Sequence, residues 1–258
     1  MVNKKNTLFL LLLTFIVLFL SACSLDNGQS SELFTLYFVK PFTFLIVWTA
    51  HLFNDNYGLG IIIVTLLIRS ALLPFMLKQY KTQVDMKVKM DLLKPEMENI
   101  QNKLKQTKEP LEQQKLQKEL MGLYQKHGVN PLNTGCLPLL IQMPILMAFY
   151  YAIRDSHEIA THSFLWFDLG QPDIWLTGLA GIVYYAQFKL SQSSLPEASQ
   201  QQMKFMGLIS PLMIMFISFS APAALPLYWV VGGIFIILQS YIGRKIYGIP
   251  QSNTLSSN

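Results

Sequence analysis

Charged residues are scarce in this sequence. Asp, Glu, Lys and Arg make up 14% of the 258 residues, and 52% of the residues are hydrophobic. Soluble domains carry about 25% charged residues, so the composition argues against a soluble domain and indicates a protein that lies in lipid. The formal net charge is nonetheless +5. In a membrane protein such an excess indicates cytoplasmic loops, where Lys and Arg accumulate, before it indicates a nucleic-acid partner.

Cysteines and catalytic motifs are also few. The two cysteines, Cys23 and Cys136, are too few for a disulfide scaffold. The sequence contains no nucleotide-binding loop, no metal-ligand spacing, no nucleophile–base pair and no pair of histidines on one helix face. We therefore expect no cofactor, no metal, no enzymatic activity and no direct nucleic-acid site.

The first 22 residues have the pattern of a secretory signal. Two lysines precede a short apolar run, and small residues follow directly before Cys23. The string Leu20-Ser21-Ala22-Cys23 resembles the bacterial lipobox, in which the cysteine becomes the lipidated first residue of the mature chain. The run is short for a membrane span, which needs about 20 apolar residues. The alternative is an uncleaved first span with a chance cysteine.

Residues 23–56 are predicted to lie outside the membrane core. A polar, Ser-rich linker is followed by an apolar stretch over residues 33–53, which has Lys40-Pro41 in its middle. Both residues are unfavourable at mid-bilayer, because Pro removes a helix hydrogen bond and Lys carries a charge. The many aromatic residues of this stretch favour a helix that lies on the outer membrane surface. A sixth span is the alternative.

The remaining pattern predicts an all-α polytopic membrane protein. A core of five transmembrane helices occupies residues 57–243, and a short cytoplasmic tail follows at 244–258. Each apolar segment is close to the length that a bilayer demands. The predicted spans are at about 57–77, 134–153, 174–191, 204–222 and 226–243.

The distribution of charge predicts the orientation of these spans. Residues 78–130 contain eleven Lys or Arg and seven acidic residues, whereas residues 154–173 contain one Arg and four acidic residues. The basic clusters all fall on the cytoplasmic side if the mature N-terminus is outside and the C-terminus is inside. A lipidated Cys23 requires the same orientation. We therefore predict a multi-pass protein of the bacterial plasma membrane.

The segment 81–128 is predicted to form a cytoplasmic helical hairpin. Its first arm has apolar residues at alternating spacings of four and three, which is a heptad seam. Pro110 suits the start of a second arm, in which Leu116, Leu120 and Leu123 repeat the spacing. The hairpin is either a solvated connection or a docking arm for a partner or an incoming chain. The first-arm seam consists of Met86, Met90, Leu93, Met97, Ile100 and Leu104.

Arg69 is the one full charge predicted to lie inside a span. A charged side chain at this depth is expensive, so it should face protein or a wet cavity. The other four predicted spans contain no Asp or Glu that could pair with it. A structural arginine is the alternative, but a functional one agrees better with the missing partner.

Other polar residues could line the same cavity. Thr65 is one turn before Arg69 on the same helix face, and Gln142, Gln187 and Trp229 lie on three other predicted spans. Hydrogen bonding between helices is the alternative role for each glutamine. Together with an unpaired arginine they favour a wet groove.

Two motifs resemble a known family, the YidC/Oxa/Alb membrane insertases. Asn130-Pro131 and the string from Gly135 to Pro144, which reads Gly-Cys-Leu-Pro-Leu-Leu-Ile-Gln-Met-Pro, resemble the start of the family's second span. The string from Leu225 to Trp229 resembles its last-span signature. The lipoprotein signal with five spans and no large outer domain is similar to the Gram-positive YidC members. Arg69 stands at the position of the arginine that bacterial members carry in the first span.

The resemblance implies a protein that inserts and folds membrane proteins. It implies a hydrophilic groove open to the cytosol and to lipid, with Arg69, Gln142, Gln187 and Trp229 on its wall. It also implies nascent membrane proteins, the translating ribosome, the Sec translocon and membrane lipids as partners. The tail after Lys245 is short and not basic, in contrast to the long ribosome-binding tails of some relatives.

Two rival functions follow from the residues alone. A small-solute transporter or channel should show inverted repeats or a complementary polar pair at mid-membrane, and the sequence shows neither. A lipid-anchored assembly factor that acts only through the hairpin would leave Arg69 unexplained.

The signal pattern predicts that Cys23 is lipidated after signal removal. Mass spectrometry of the mature N-terminus should find a diacylglyceryl cysteine. An intact Met1 at the N-terminus would refute the prediction.

Overall fold

The computed structural model describes residues 32–107, 109–129, 132–192 and 197–248, of which 132–141 and 197–206 are described by their backbone alone. The described chain is mostly helical, as predicted. Its helices are α1 (Glu32–Phe34), a π-helical turn (Thr35–Val39), α2 (Lys40–Leu52), α3 (Tyr57–Gln106), α4 (Pro110–Lys126), α5 (Leu132–Arg154), α6 (His157–Thr161), α7 (Ile174–Gln192), α8 (Glu197–Ser218) and α9 (Ala224–Tyr247).

The first helical stretch accommodates Lys40-Pro41 by a change of helix type. The π-helical turn precedes it, and the Lys40 N–H bonds to the carbonyl of Thr35. Pro41 then lies at the start of α2, directly after the π-helical turn, and the first turn of a helix is where proline is best tolerated. One face of the stretch is buried, whereas Trp48 and other aromatic residues on the opposite face are exposed.

Helix α3 is longer than the sequence pattern predicts. It continues for 50 residues without a break and contains Pro74 and Pro95 in its interior. It therefore joins the predicted first span and the predicted first hairpin arm into one element. It ends at Gln106 and α4 begins at Pro110, which agrees with the predicted break.

The predicted heptad seam packs as one hydrophobic cluster between α3 and α4. Its buried members include Leu93, Met97 and Ile100 of α3 and Leu116 and Leu123 of α4. The other seam residues of both arms are partly buried against them. The seam is therefore observed as a packed contact, while a cytoplasmic hairpin that moves as a unit stays a prediction.

The chain divides into two compact units. The first comprises Met1–Thr65, Leu139–Leu176 and Ser218–Tyr228, and the second comprises Leu66–Pro138, Thr177–Ile217 and Trp229–Asn258. The long helices contribute residues to both.

Aromatic and small residues form the core of the first unit. Phe34 and Val39 pack against Ala148, Tyr151 and Ala152 of α5 in one cluster. The ring of Phe149 stacks on that of Tyr228, with ring centroids 4.4 Å apart. This packing fixes the start of α9 against α5.

The first unit also contains a small antiparallel hairpin, which the all-α prediction did not include. Strand β1 (Ser163–Phe164) pairs with β2 (Phe167–Asp168), with Phe164 opposite Phe167. Each strand has two residues, too few for an alternating pattern to be recognisable in the sequence.

Three described helices are long and apolar enough to cross a membrane. They are Glu32–Leu52, Tyr57–Gln106 and Ala224–Tyr247. The first of these three is the helix that the sequence predicts to lie on the outer membrane surface. Its length and composition also agree with the alternative, a sixth span at this position. The count of five spans stays a prediction. The signal at 1–22, Cys23, the Asn130-Pro131 pair and residues 249–258 lie outside the described residues.

We expect the segment 81–128 to open more readily than the apolar half of α3. Its cluster is small and rich in methionine, and most of its surface is charged and exposed, which are features of a unit with low local stability. Amide hydrogen exchange should therefore be faster in 81–128 than in 57–77. Equally strong protection of both segments would contradict the prediction.

Candidate functional site: a buried arginine beside a glycine pair

Arg69 lies on the buried face of α3. Only 9% of its surface is exposed. The eight residues that precede it, 61–68, are apolar except for Thr65. Among the residues that the structure describes, its guanidinium makes no ion pair and no hydrogen bond. A buried cation is costly unless water or an anionic group compensates it. A transient anionic partner for Arg69 stays a prediction.

Gly232 of α9 provides the space that the guanidinium occupies. A Cβ at this position would lie 3.0 Å from Nη2, 3.4 Å from Nε and 3.6 Å from Cζ of Arg69. Glycine inside a helix is less favourable than alanine by about 1 kcal/mol, so its presence here has a local reason. The arginine passes directly along the backbone of α9, where any side chain would crowd it.

The adjacent Gly233 has the same effect toward α7. A Cβ there would lie 2.5 Å from Cγ1 of Val183 and 3.4 Å from Cε2 of Tyr184. Small residues allow membrane helices to approach closely. The glycine pair thus brings α9 against α3 through Gly232 and against α7 through Gly233.

Gln187 and Trp229 belong to the same compact unit as Arg69. Gln187 is one turn after Val183, on the face of α7 that meets α9. Its Oε1 atom is buried and has no hydrogen-bond partner among the described residues. Trp229 is buried one turn before the glycine pair. The second unit therefore contains Gln187 and Trp229 as well as Arg69 and the glycine pair.

Thr65 and Gln142 belong to the first compact unit. The Thr65 hydroxyl donates to the carbonyl of Ile61 at 2.7 Å, so it is used within its own helix. The Gln142 amide donates from Nε2 to the hydroxyl of Tyr228 at 2.6 Å. This hydrogen bond is the interhelical role that the sequence left open for Gln142. The participation of both residues in a groove stays a prediction.

Sequence reasoning missed Gly232. The signal was present, because two consecutive glycines in the middle of an apolar segment are unfavourable for a helix and need a packing reason. Their partners, however, are more than forty residues away in the chain, and only the tertiary structure identifies Arg69 as one of them.

Comparison with known proteins places the chain in a family. Residues 48–249 match the family model described as 60Kd inner membrane protein. The chain belongs to this family. It is 48% identical to membrane protein insertase YidC 2 of Listeria monocytogenes serotype 4b (strain F2365), over 95% of this chain and 90% of the relative.

Two further members of the 60Kd inner membrane protein family show similar agreement. Membrane protein insertase MisCB of Bacillus subtilis (strain 168) is 47% identical over 80% of this chain and 78% of its own. Membrane protein insertase YidC of Staphylococcus aureus (strain MRSA252) is 42% identical over 95% of this chain and 86% of its own. The resemblance to the YidC/Oxa/Alb insertases is confirmed, and with the apolar helices it makes this a multi-pass membrane protein.

The close approach of Arg69 to Gly232 predicts opposite effects of two Gly→Ala substitutions. Gly232→Ala should lower the stability of the purified protein by about 1–3 kcal/mol, because the new methyl group crowds the guanidinium. Gly178→Ala, also in a helix of the second unit, should raise it by up to about 1 kcal/mol, because its Cβ would meet no atom within 4 Å. Thermal unfolding in detergent measures both.

Removal of the arginine provides the control. In an Arg69→Ala background the methyl group at 232 has no guanidinium to displace, so Gly232→Ala should become neutral or stabilising. If Gly232→Ala raises the melting temperature of the unaltered chain as Gly178→Ala does, the predicted contact is wrong.

Proposed function

We propose that this protein is a membrane protein insertase and chaperone of the bacterial plasma membrane. Its relatives carry that name over nearly their whole length. The observation that supports the proposal most directly is the burial of Arg69 without a partner among the described residues. The names of the relatives give no support to the small-solute transporter.

The proposed mechanism lowers a desolvation barrier. A hydrophilic groove open to the cytosol and to lipid lets the polar outer tail of a substrate enter the membrane without crossing the whole hydrocarbon core. An isolated carboxylate or ammonium at the bilayer centre is unfavourable by about 2.5–3.5 kcal/mol on insertion scales. Arg69 offsets part of this energy for an acidic tail. The apolar segment of the substrate then moves sideways into lipid.

The membrane potential supplies direction to this process. It contributes about 2.3 kcal/mol per elementary charge per 100 mV, and it pulls an acidic tail toward the outside. No covalent bond forms or breaks in the sequence of steps. The activity is therefore not enzymatic and needs no cofactor.

The groove wall in this proposal consists of residues from four helices. The proposed wall residues are Thr65 and Arg69 of α3, Gln142 of α5, Gln187 of α7 and Trp229 of α9. The polar side chains hydrate the groove, and the buried tryptophan adds apolar surface for the substrate. Among these five residues only Arg69 carries a full charge. A carboxylate that enters the groove therefore meets one cation.

The topology in this proposal has the mature N-terminus outside and the C-terminus in the cytoplasm. Removal of residues 1–22 leaves a lipidated Cys23 on the outer face, and five spans follow it. The basic segment 78–130 and the acidic segment 154–173 support this orientation. One lipid chain anchors a protein only marginally, so the spans supply the lasting attachment.

The partners in this proposal are nascent membrane proteins, the translating ribosome, the Sec translocon and membrane lipids. The segment 81–128 is the docking arm on the cytoplasmic side, where Leu111 and Met121 of α4 are exposed. The arm is the proposed contact for the ribosome.

An electrostatic role for Arg69 predicts different outcomes for two substitutions. Arg69→Lys should retain most of the insertion activity, because the positive charge survives. Arg69→Ala should lower insertion of a substrate with an acidic outer tail by about tenfold, which corresponds to about 1.4 kcal/mol. A matched substrate with a neutral tail should be affected less, because its desolvation is less costly. Insertion assays on the three proteins with both substrates give the comparison.

Protein abundance serves as the control for misfolding. If Arg69 is structural, its planar fork matters more than its charge, and Lys fails as Ala does. Equal losses with both substitutions and both substrates, at normal abundance, would contradict the electrostatic mechanism.

A further inference from the structure

The turn of the small hairpin exposes two large apolar side chains. Leu165 and Trp166 connect β1 to β2, and 74% and 59% of their surfaces are exposed. Leu165 adopts a φ of +53°. This is the left-handed region, which is unfavourable for a residue with a Cβ and no local hydrogen-bonding group.

Two-residue hairpin turns with positive φ usually contain Asn-Gly or Asp-Gly. These residues tolerate the backbone conformation and are well solvated. The Leu165-Trp166 turn instead combines a positive φ at Leu165 with exposed apolar side chains at both positions. Both features are unfavourable in water, and strain of this kind persists mainly where function requires it. A hydrophobic environment around the turn would favour these residues.

The base of the hairpin is held firmly by two helices. Phe164 and Phe167 are buried, and the Phe164 ring packs directly on Gly58 in the first turn of α3. The segment after β2 is bonded to the start of α9. The Ala224 N–H donates to the carbonyl of Leu169 at 3.0 Å, and the Ala223 N–H donates to that of Gln171 at 2.9 Å. These contacts form a frame that fixes the position of the turn relative to the first residues of α3 and α9.

The frame also sets the depth of the turn in the membrane. Helices α3 and α9 are two of the three described candidate spans, and the hairpin is attached at the first residues of both. As candidate spans, both helices would enter the bilayer near these first residues, so the hairpin would lie at that level. This level is the membrane–water interface, where tryptophan is enriched in membrane proteins.

The charges near the hairpin are placed away from its turn. The Asp168 carboxylate accepts a hydrogen bond from the Ser163 hydroxyl at 2.5 Å, at the open end of the strand pair.

The next helix begins with Ile174 and Trp175, of which 67% and 76% are exposed. The first unit thus presents a second apolar pair close in sequence.

We propose that Leu165 and Trp166 insert into the boundary between headgroups and acyl chains of the outer leaflet. There they act as a rigid anchor that fixes the depth of the outer ends of α3 and α9. The occupant of this surface is lipid, since the turn belongs to a membrane protein and lies where two candidate spans begin. The choice of leaflet depends on the proposed topology, whereas the anchor itself does not depend on insertase activity.

Depth-dependent fluorescence quenching tests the anchor. The chain contains four tryptophans, so the signal of Trp166 is the difference between the full-length protein and its Trp166→Phe variant. Both are reconstituted in phosphatidylcholine–phosphatidylglycerol vesicles that contain lipids brominated at a shallow or a deep acyl position. We expect the Trp166 signal to be quenched more by the shallow bromines than by the deep ones, and to be protected from aqueous iodide.

Two results would overturn the anchor. Quenching by iodide and not by bromolipid would place Trp166 in water. Resistance to both quenchers would place it under protein, either a second copy of the chain or a partner. Neither result depends on the insertion assay, so failure of the anchor is distinguishable from failure of the proposed function.

A substitution at Leu165 separates anchoring from folding. Leu165→Asn suits the positive φ and removes one apolar side chain. Quenching of Trp166 by shallow bromines should fall in this variant, while the melting temperature in detergent should stay equal or rise. A lower melting temperature with unchanged quenching would mean that Leu165 only supports the fold, and it would overturn the proposal.

Discussion

The energy of a buried guanidinium constrains much of this structure. A cation in a low-dielectric environment interacts strongly with any charge near it, and it is costly when nothing compensates it. In the described residues Arg69 is buried within an apolar helix and has no acidic partner. The surroundings must then supply water, a headgroup or the charge of a visiting chain. In the proposed mechanism, the carboxylate of an acidic substrate tail compensates the charge of Arg69.

The helix packing around Arg69 follows from the same constraint. A large side chain that passes close to the backbone of a neighbouring helix needs a small residue there, and Gly232 meets this condition. Gly233 repeats the arrangement toward α7. In the first unit the contacts are of another kind, with the Gln142–Tyr228 hydrogen bond and stacked aromatic rings. That unit holds the start of α9 by specific polar and aromatic contacts, whereas the second unit holds its middle by close backbone approach.

The sequence predicted features that depend on local patterns. The isolation of Arg69 in an apolar run indicated its burial, and the heptad spacing indicated the cluster around Leu93 and Leu116. The sequence did not predict that the first span and the first hairpin arm would join into one helix, α3, because their hydrophobic patterns differ and no local signal shows that the helix continues between them. Contacts between segments that are distant in the chain, such as that of Gly232 with Arg69, could not be predicted either. No local periodicity of the sequence marks them.

The proposed mechanism requires acidic substrate tails to pass beside Arg69. The most direct test is a stalled substrate that carries a photoreactive residue next to an acidic residue of its outer tail, with crosslinked peptides mapped by mass spectrometry. If acidic tails pass beside Arg69, crosslinks should form to peptides that contain Arg69 or the Trp229–Gly233 stretch. Fewer of these crosslinks should form when the tail is made neutral. Crosslinks confined to exposed positions of α3 such as Leu67, of which 60% is exposed, or crosslinks unaffected by tail charge, would contradict it.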